Sequence, residues 1–494
     1  MNGVNLVTLS FSGRGRFLSF AKKNKFLIIL FLIALAIRIA FVFSIPVKLW
    51  DETVYINLGY DLSKNPLDYS FANNGWSDFI PGGLYPKAGF RAPLLPYMIS
   101  FMYFINFDFL IDFVIPFLGA LSAIFVYLLG KELFDKNVGL ISALFFTFIP
   151  LHVFYSSRVL TDVLLTFFVL LTFISFVKGY EKGYERHKVL FGLFLAISLL
   201  ARYTALWIIP MFFIYLLVRD KSFKFLRDKH LWYAVGVFLL TLLPWFIYGF
   251  VEYNNPIGAL IHGMKASTYW GGVQPWYFFF ENWWLMFSIV GFVFMAGLIY
   301  LLYNRKFIKK EVYLLLIWFV FFLSMVIYMP HKEDRFVIPL SPPLIILTAF
   351  FVSCLKKYLR IVVVVITLVL VVSVGLSFYG EYNTYRTVNT ECFGQIENKL
   401  KEIKGDFVIV SENPPLFRYS VKKVNAYYPD NLNEQTIKEF EKSQGKPAYF
   451  VFTRFNSGFE DDKLERLKQI MKDNYNLKFE CSKDPEFNFI YSNV

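Results

Sequence analysis

Charge and cysteine are both scarce in this 494-residue chain. Charged residues make up 18% of it and hydrophobic residues 56%, where a water-soluble globular chain has about 25% and about 45–50%. So thin a polar coat excludes a soluble cytosolic enzyme, a fibrous protein and a disordered chain. There are three cysteines. Cys354 falls in an apolar run. Cys392 and Cys481 fall in the polar C-terminal part, where they can stand as two thiols or, outside the cell, as a disulfide. That C-terminal part also lacks a Gly-rich phosphate loop and a Cys/His cluster at metal spacing, and the chain has no internal repeat.

What the chain has instead is long apolar runs. FLIILFLIALAIRIAFVFSI (26–45) and IVVVVITLVLVVSVGLSFY (361–379) each reach or approach the roughly 20 residues needed to cross about 30 Å of hydrocarbon. Residues 1–25 are polar and basic, and the apolar run after them is too long for a cleaved signal peptide. They read as a cytoplasmic segment ahead of an uncleaved first span. Further spans are expected near 109–130, 137–154, 159–177, 188–201, 203–218, 231–250, 283–303, 312–329, 335–354 and 360–379, about eleven in all. The boundary at Arg202, between 188–201 and 203–218, is the least sharp.

The net charge is +13, which raises the question of nucleic acid. Its placement answers that. With the N-terminus inside, the inner gaps read KELFDK, KGYEKGYERHK, RDKSFKFLRDK, NRKFIKK and KKYLR. Every one is rich in Lys and Arg, as inner loops are. The charge is topological, and no nucleic-acid partner is expected. Two polar regions fall outside: the loop 46–92 and the tail 381–494. The tail alternates strand-like runs (406–410, 447–453, 477–481, 487–491) with helix-like ones (434–443, 463–473), which predicts a small α/β domain. The expected fold is mainly α, a polytopic membrane protein with a C-terminal extracytoplasmic α/β domain.

In such a chain, chemistry sits where polar residues interrupt apolar ones. WDETVY (50–55) puts Asp51 and Glu52 just past the first span. On a helix Asp51, Tyr55, Leu58 and Leu62 share a face and Glu52 points elsewhere. A carboxylate there can take a proton from a hydroxyl, or can simply cap a helix. GFRAPLLPY (89–97) offers Arg91, a match for phosphate oxygens or an interfacial Arg reaching for headgroups. SRVLTD (157–162) holds Arg158 and Asp162 four apart, able to pair with each other. Arg202 stands between two spans. HKEDRFVIP (331–339) packs His331, Lys332, Glu333, Asp334 and Arg335 together, as a solvated loop or an anion clamp. The stretch 269–284 crowds aromatics into an interfacial belt or a sugar- or lipid-binding lip. All lie at the outer boundary. Carboxylates among several cations suit an anionic phosphate meeting a hydroxyl-rich partner.

The order of these motifs resembles the GT-C superfamily of membrane glycosyltransferases, above all the branch with protein O-mannosyltransferases and lipid A aminoarabinose transferases. The matching stretches are WDETVY, RAPLLPY (91–97), SRVLTDVLLTFFVLL (157–171), LLARYTALWIIP (199–210) and EDRFVIPLSPPLIIL (333–347). They cover roughly 26–380, which the resemblance makes the catalytic domain.

The resemblance implies sugar transfer from a polyprenyl monophosphate to a protein, glycan or lipid acceptor at the extracytoplasmic face. It makes Asp51 the catalytic or orienting carboxylate with Glu52 in support. Arg91, Arg202, Lys332 and Arg335 become phosphate ligands. Tyr55, Arg158, Asp162 and His331 become cavity or supporting residues. No cofactor is implied beyond a possible divalent metal, for which Asp51 and Asp162 are the candidates. Phe90 stands where some members have a carboxylate, which weakens the metal. The tail lacks the WWDYG signature of oligosaccharyltransferases, which argues against en bloc transfer to Asn. A rival reading is a transporter or lipid-carrier flippase, which would also use intramembrane Asp and Arg.

Overall fold

The computed structural model describes residues 24–45, 48, 50–72, 86–269, 273–304, 309–385, 388–411, 414–421, 424–427, 434–453, 461–483 and 488–492. The cytoplasmic segment expected over 1–25 lies almost wholly outside them, as do 73–85 of the first external loop.

The helices run in order α1 (Lys25–Ser44), α2 (Trp50–Lys64), α3 (Leu94–Phe104), α4 (Ile111–Leu133), α5 (Lys136–Thr147), α6 (Pro150–Ser156), α7 (Thr161–Phe176), α8 (Glu185–Ala201), α9 (Ile208–Asp220) and α10 (Lys229–Tyr253). Then come α11 (Gly258–Tyr269), α12 (Phe278–Glu281), α13 (Trp283–Tyr303), α14 (Lys310–Tyr328), α15 (Ser341–Ser353) and α16 (Leu359–Tyr385). In hydrocarbon every backbone polar group must find its partner inside the chain, and a helix does this within one segment.

Nine helical segments of the described residues are long and apolar enough to cross a membrane, or ten if the bent pair α5–α6 is one span. The bend is 61° and falls where Pro150 removes a backbone donor. Arg38, wholly buried in α1, reaches across to this bend. It donates to the carbonyls of Ala34 (2.9 Å) and Thr147 (3.5 Å), and its Nη2 lies 3.1 Å from His152 Nδ1. The role of Arg38 is not legible in the sequence, because one Arg in an apolar run carries no signal about what faces it.

By length and composition the count falls one short of the expected eleven. The segment that does not pass is 188–201. Its helix α8 has 17 residues, about 25 Å of rise, short of the hydrocarbon thickness. Yet α8 ends at Arg202, which pairs with Asp162 at the start of α7. Two groups that touch lie at the same end of the bundle, so α8 carries the chain back over the length of α7. The segments 161–181 and 334–353 are largely buried at the centre, while α1 and α16 are mostly exposed on the outside.

After α16 the chain builds α17 (Val388–Glu402), β1 (Val408–Ser411), α18 (Pro414–Val421), β2 (Val424–Tyr427), α19 (Glu434–Gln444), β3 (Ala448–Phe452), α20 (Asp461–Asn474), β4 (Asn476–Glu480) and β5 (Phe489–Ser492). The sheet order is β2-β1-β3-β5-β4. β1 pairs parallel with β2 and β3, and β5 pairs antiparallel with β3 and β4. Side chains alternate between faces. Val408, Val410, Phe450 and Phe452 pack under α19 and α20, while Ile409, Val451 and Ile490 pack under α17 and α18. Four of the strands fall on the expected runs; β2 was not foreseen. Cys392 and Cys481 are bonded, joining α17 to the chain just past β4.

Candidate functional site

The site begins with α2. Its first turn holds Asp51 and Glu52, and the 100° step between neighbours sends them to different partners. Asp51 Oδ1 lies 2.8 Å from Arg91 Nη2, and its Oδ2 accepts from Arg335 Nη2 at 2.5 Å. One carboxylate thus bridges two guanidiniums from segments 40 and 284 residues away in sequence. Burial raises the Asp51 pKa, but Arg91 and Arg335 outweigh it, and the carboxyl is held well below the usual range. Arg91 Nη1 donates weakly to the Tyr55 hydroxyl (3.4 Å), and its guanidinium lies over the Tyr55 ring. Arg335 Nη2 also reaches Glu333 Oε1 at 2.7 Å, and Glu333 meets His331 Nε2 at 3.2 Å.

Glu52 turns away from this group. It is fully buried, pairs with the equally buried Arg158, and accepts from the Val159 amide at 2.8 Å. The two residues pin α2 to the turn before α7. Asp162, at the start of α7, pairs with Arg202, whose guanidinium lies over the Phe336 ring. Lys332 is nearly buried. Its ammonium donates to the carbonyls of Met329 (2.6 Å) and Gln274 (3.0 Å), and burial lowers its pKa. It anchors the loop, with its charge turned to backbone oxygens.

Several buried polar atoms here have no hydrogen-bond partner among the described residues: Arg91 Nε, Arg335 Nε, Asp162 Oδ2 and His331 Nδ1. Leaving such atoms unpaired is costly. For a metal the fit is poor. Both Asp51 oxygens face guanidiniums, Asp162 already holds Arg202, and no group of three or more His, Cys, Asp or Glu among the described residues is placed to bind an ion.

Arg91 is held from behind by aromatics. Its carbonyl accepts from the hydroxyls of Tyr69 (3.1 Å) and Tyr203 (3.2 Å). Tyr203 also donates to Gly89 (2.7 Å) and accepts from Trp245 Nε1 (3.0 Å). A Cβ on Gly89 would stand 2.8 Å from Tyr248 and Tyr253, so the close approach needs glycine. Tyr203 follows Arg202 directly and was legible as a neighbour; nothing local marks Tyr69.

Comparison with known proteins bears on this arrangement. Residues 90–248 match the family model described as dolichyl-phosphate-mannose-protein mannosyltransferase. An uncharacterized protein of Aquifex aeolicus (strain VF5) is 26% identical over 54% of this chain and 54% of its own length. The STT3B subunit of the Arabidopsis thaliana dolichyl-diphosphooligosaccharide–protein glycosyltransferase is 25% identical over 37% of this chain and 26% of its own length. The matched part thus spans about half, or less, of each curated relative. Among solved structures, ArnT from Cupriavidus metallidurans bound to undecaprenyl phosphate superposes with a TM-score of 0.71 at 12% identity, covering 95% of this chain and 98% of that one. The oligosaccharyltransferase AglB from Archaeoglobus fulgidus, in complex with an inhibitory peptide and a dolichol-phosphate, gives 0.60 at 15% identity over 96% and 75%.

At these identities the structural likeness is one of fold. The chain has the fold of the GT-C membrane glycosyltransferases, and the resemblance seen in its motifs holds. The apolar helices and the shared fold support a multi-pass membrane protein.

Proposed function

We propose that this protein transfers a sugar from a polyprenyl monophosphate to a hydroxyl-bearing acceptor at the extracytoplasmic face of the membrane. The observation that carries the reading is Asp51 held between Arg91 and Arg335. A prospective base and two phosphate-matching cations meet at one point, and the guanidinium Nε atoms beside it have no hydrogen-bond partner among the described residues. The likeness to ArnT bound to undecaprenyl phosphate and to AglB with a dolichol-phosphate supports a lipid phosphate as the donor group. The basic inner gaps support an extracytoplasmic placement of the site and of the C-terminal domain.

The acceptor oxygen attacks the anomeric carbon, and the bond from that carbon to the phosphate oxygen breaks. The proton passes to Asp51, and the leaving polyprenyl phosphate takes the bonding pair. Arg91 and Arg335 stabilise its growing charge, with Arg202 in support. A single displacement inverts the anomeric configuration. Asp51 in the resting site is a poor base, because two guanidiniums stabilise its anion. A phosphate that draws Arg91 and Arg335 to itself loosens those pairs and raises the basicity of Asp51, so donor binding readies the base. Glu52 and Arg158 act by fixing α2, and Lys332 and His331 by shaping the loop that carries Arg335.

The test is release of free polyprenyl phosphate from a panel of polyprenyl-phosphate sugars, with native membrane extract as acceptor. Wild type is expected to release it. Asp51→Asn is expected to be about 100- to 10,000-fold slower while still binding the lipid phosphate. No release from folded wild type with any donor, or retention at the transferred sugar without a covalent intermediate, would overturn the reading.

A further inference from the structure

The helix that carries Asp51 is gripped at its other end by the C-terminal domain. Asp61 Oδ1 lies 2.9 Å from Arg418 Nη2, an ion pair with both side chains nearly buried. One turn earlier on α2, the fully buried Asn57 donates through Nδ2 to the carbonyl of Pro415 at 2.8 Å. Asn57 and Asp61 are four apart and so share a face of α2. Pro415 and Arg418 are three apart on α18, whose Leu416 and Phe417 are rooted in the core under the sheet. The clasp therefore joins the core under the sheet to α2.

A cavity of about 470 Å³ opens beside the clasp, lined among others by Lys48, Ile56, Asp112, Glu397 and Tyr419. Its charges are largely matched in pairs, Lys48 with Asp112 and Lys401 with Glu397, so it names no ligand. The clasp is a point of fixation at its edge. A nearly buried Arg–carboxylate pair has the directional geometry such a point needs.

We infer that the C-terminal domain sets the position of Asp51 through Arg418 and Asn57, which are positioning residues. This rests on the transfer reading above. Asp51 lies 6 and 10 residues from Asn57 and Asp61, about 9 and 15 Å along the helix axis. A small tilt at the clasp moves the carboxylate against Arg91 and Arg335, and a displacement of about 1 Å at a reacting group costs on the order of 100-fold in rate.

The experiment uses the full chain. Amide hydrogen exchange over 50–64 is compared in wild type, Arg418→Ala and the exchanged-charge double variant Asp61→Arg/Arg418→Asp. Arg418→Ala is expected to speed exchange in α2 while leaving α7 and α15 protected, and the double variant to restore protection. In the transfer assay Arg418→Ala is expected to lower kcat by about 10- to 100-fold with donor KM within about twofold, and the double variant to regain most of the loss. Unchanged exchange in α2 and unchanged kcat overturn the inference. A loss of kcat that the double variant does not recover, with α2 still protected, also overturns it. If wild type proves inactive, the transfer reading fails, while the exchange data still decide whether the domain holds α2.

Discussion

Asp51 has both oxygens committed to guanidiniums, and its pH behaviour follows from that. Its folded-state pKa lies below the value of a free carboxylate, so the pairing stabilises the fold above about pH 4. That contribution is lost only as pH falls through the lower folded value. Between pH 7 and about pH 4, thermal unfolding of wild type and Asp51→Asn is therefore expected to shift in parallel. The kcat/KM profile, which reports the free enzyme, is expected to show no acid limb from Asp51 over the same range. A limb that sits near an ordinary carboxylate pKa and vanishes in Asp51→Asn would show the bridge to be wrong. Glu52 makes a different prediction. Its pair with Arg158 is wholly buried, and removing one member leaves a charge uncompensated. Glu52→Ala is expected to destabilise by about 3–5 kcal/mol, with Glu52→Leu/Arg158→Met recovering part of it. Thermal unfolding in detergent measures both. An exposed-pair value below about 1 kcal/mol would contradict the burial.

Among the elements, α2 is held on three sides: by Arg158 through Glu52, by α18, and by α3. The α3 contact depends on Gly59, where an added Cβ would stand 2.5 Å from Ile99 Cγ2 and 3.0 Å from the Pro96 carbonyl. Gly59→Ala is expected to push α2 off α3 and lower transfer about 10-fold or more. Gly59→Ala/Ile99→Ala, which opens space, is expected to recover activity above the single variant. Equal activity in the two would mean that α2 does not seat against α3 as closely as described. The segment bearing Arg91 is a second such case, held by the hydroxyls of Tyr69 and Tyr203.

For the whole molecule, the ion pair of Asp162 with Arg202 makes α8 a return across the bundle despite its 17 residues. This keeps the alternation expected from the sequence, in which every Lys/Arg-rich gap falls on one side. In a Cys354→Ser background, cysteine placed by Lys265→Cys is expected to react with an impermeant maleimide on intact cells. Lys182→Cys and Lys310→Cys are expected to react only after permeabilisation. Labelling of positions 182 and 265 from the same side would break the topology.

The membrane class, most of the spans and the alternating tail were legible in the chain alone, because apolar length and strand or helix period are local properties. Asp51, Arg91, Asp162, Arg202 and Arg335 were legible as candidates, since each interrupts an apolar background at a span boundary. Which of them meet was not. Asp51 with Arg335 and Asn57 with Pro415 are contacts across hundreds of residues, and no local pattern encodes a partner at that distance. The same limit hid the turning of Lys332 to backbone carbonyls, the division of labour between Asp51 and Glu52, the tyrosines behind Arg91 and the pairing of Cys392 with Cys481. Local sequence sets what a segment can be in water or lipid. The packing of helices against one another decides which charges are left facing each other, because a buried charge must find its partner in whatever element the fold brings beside it.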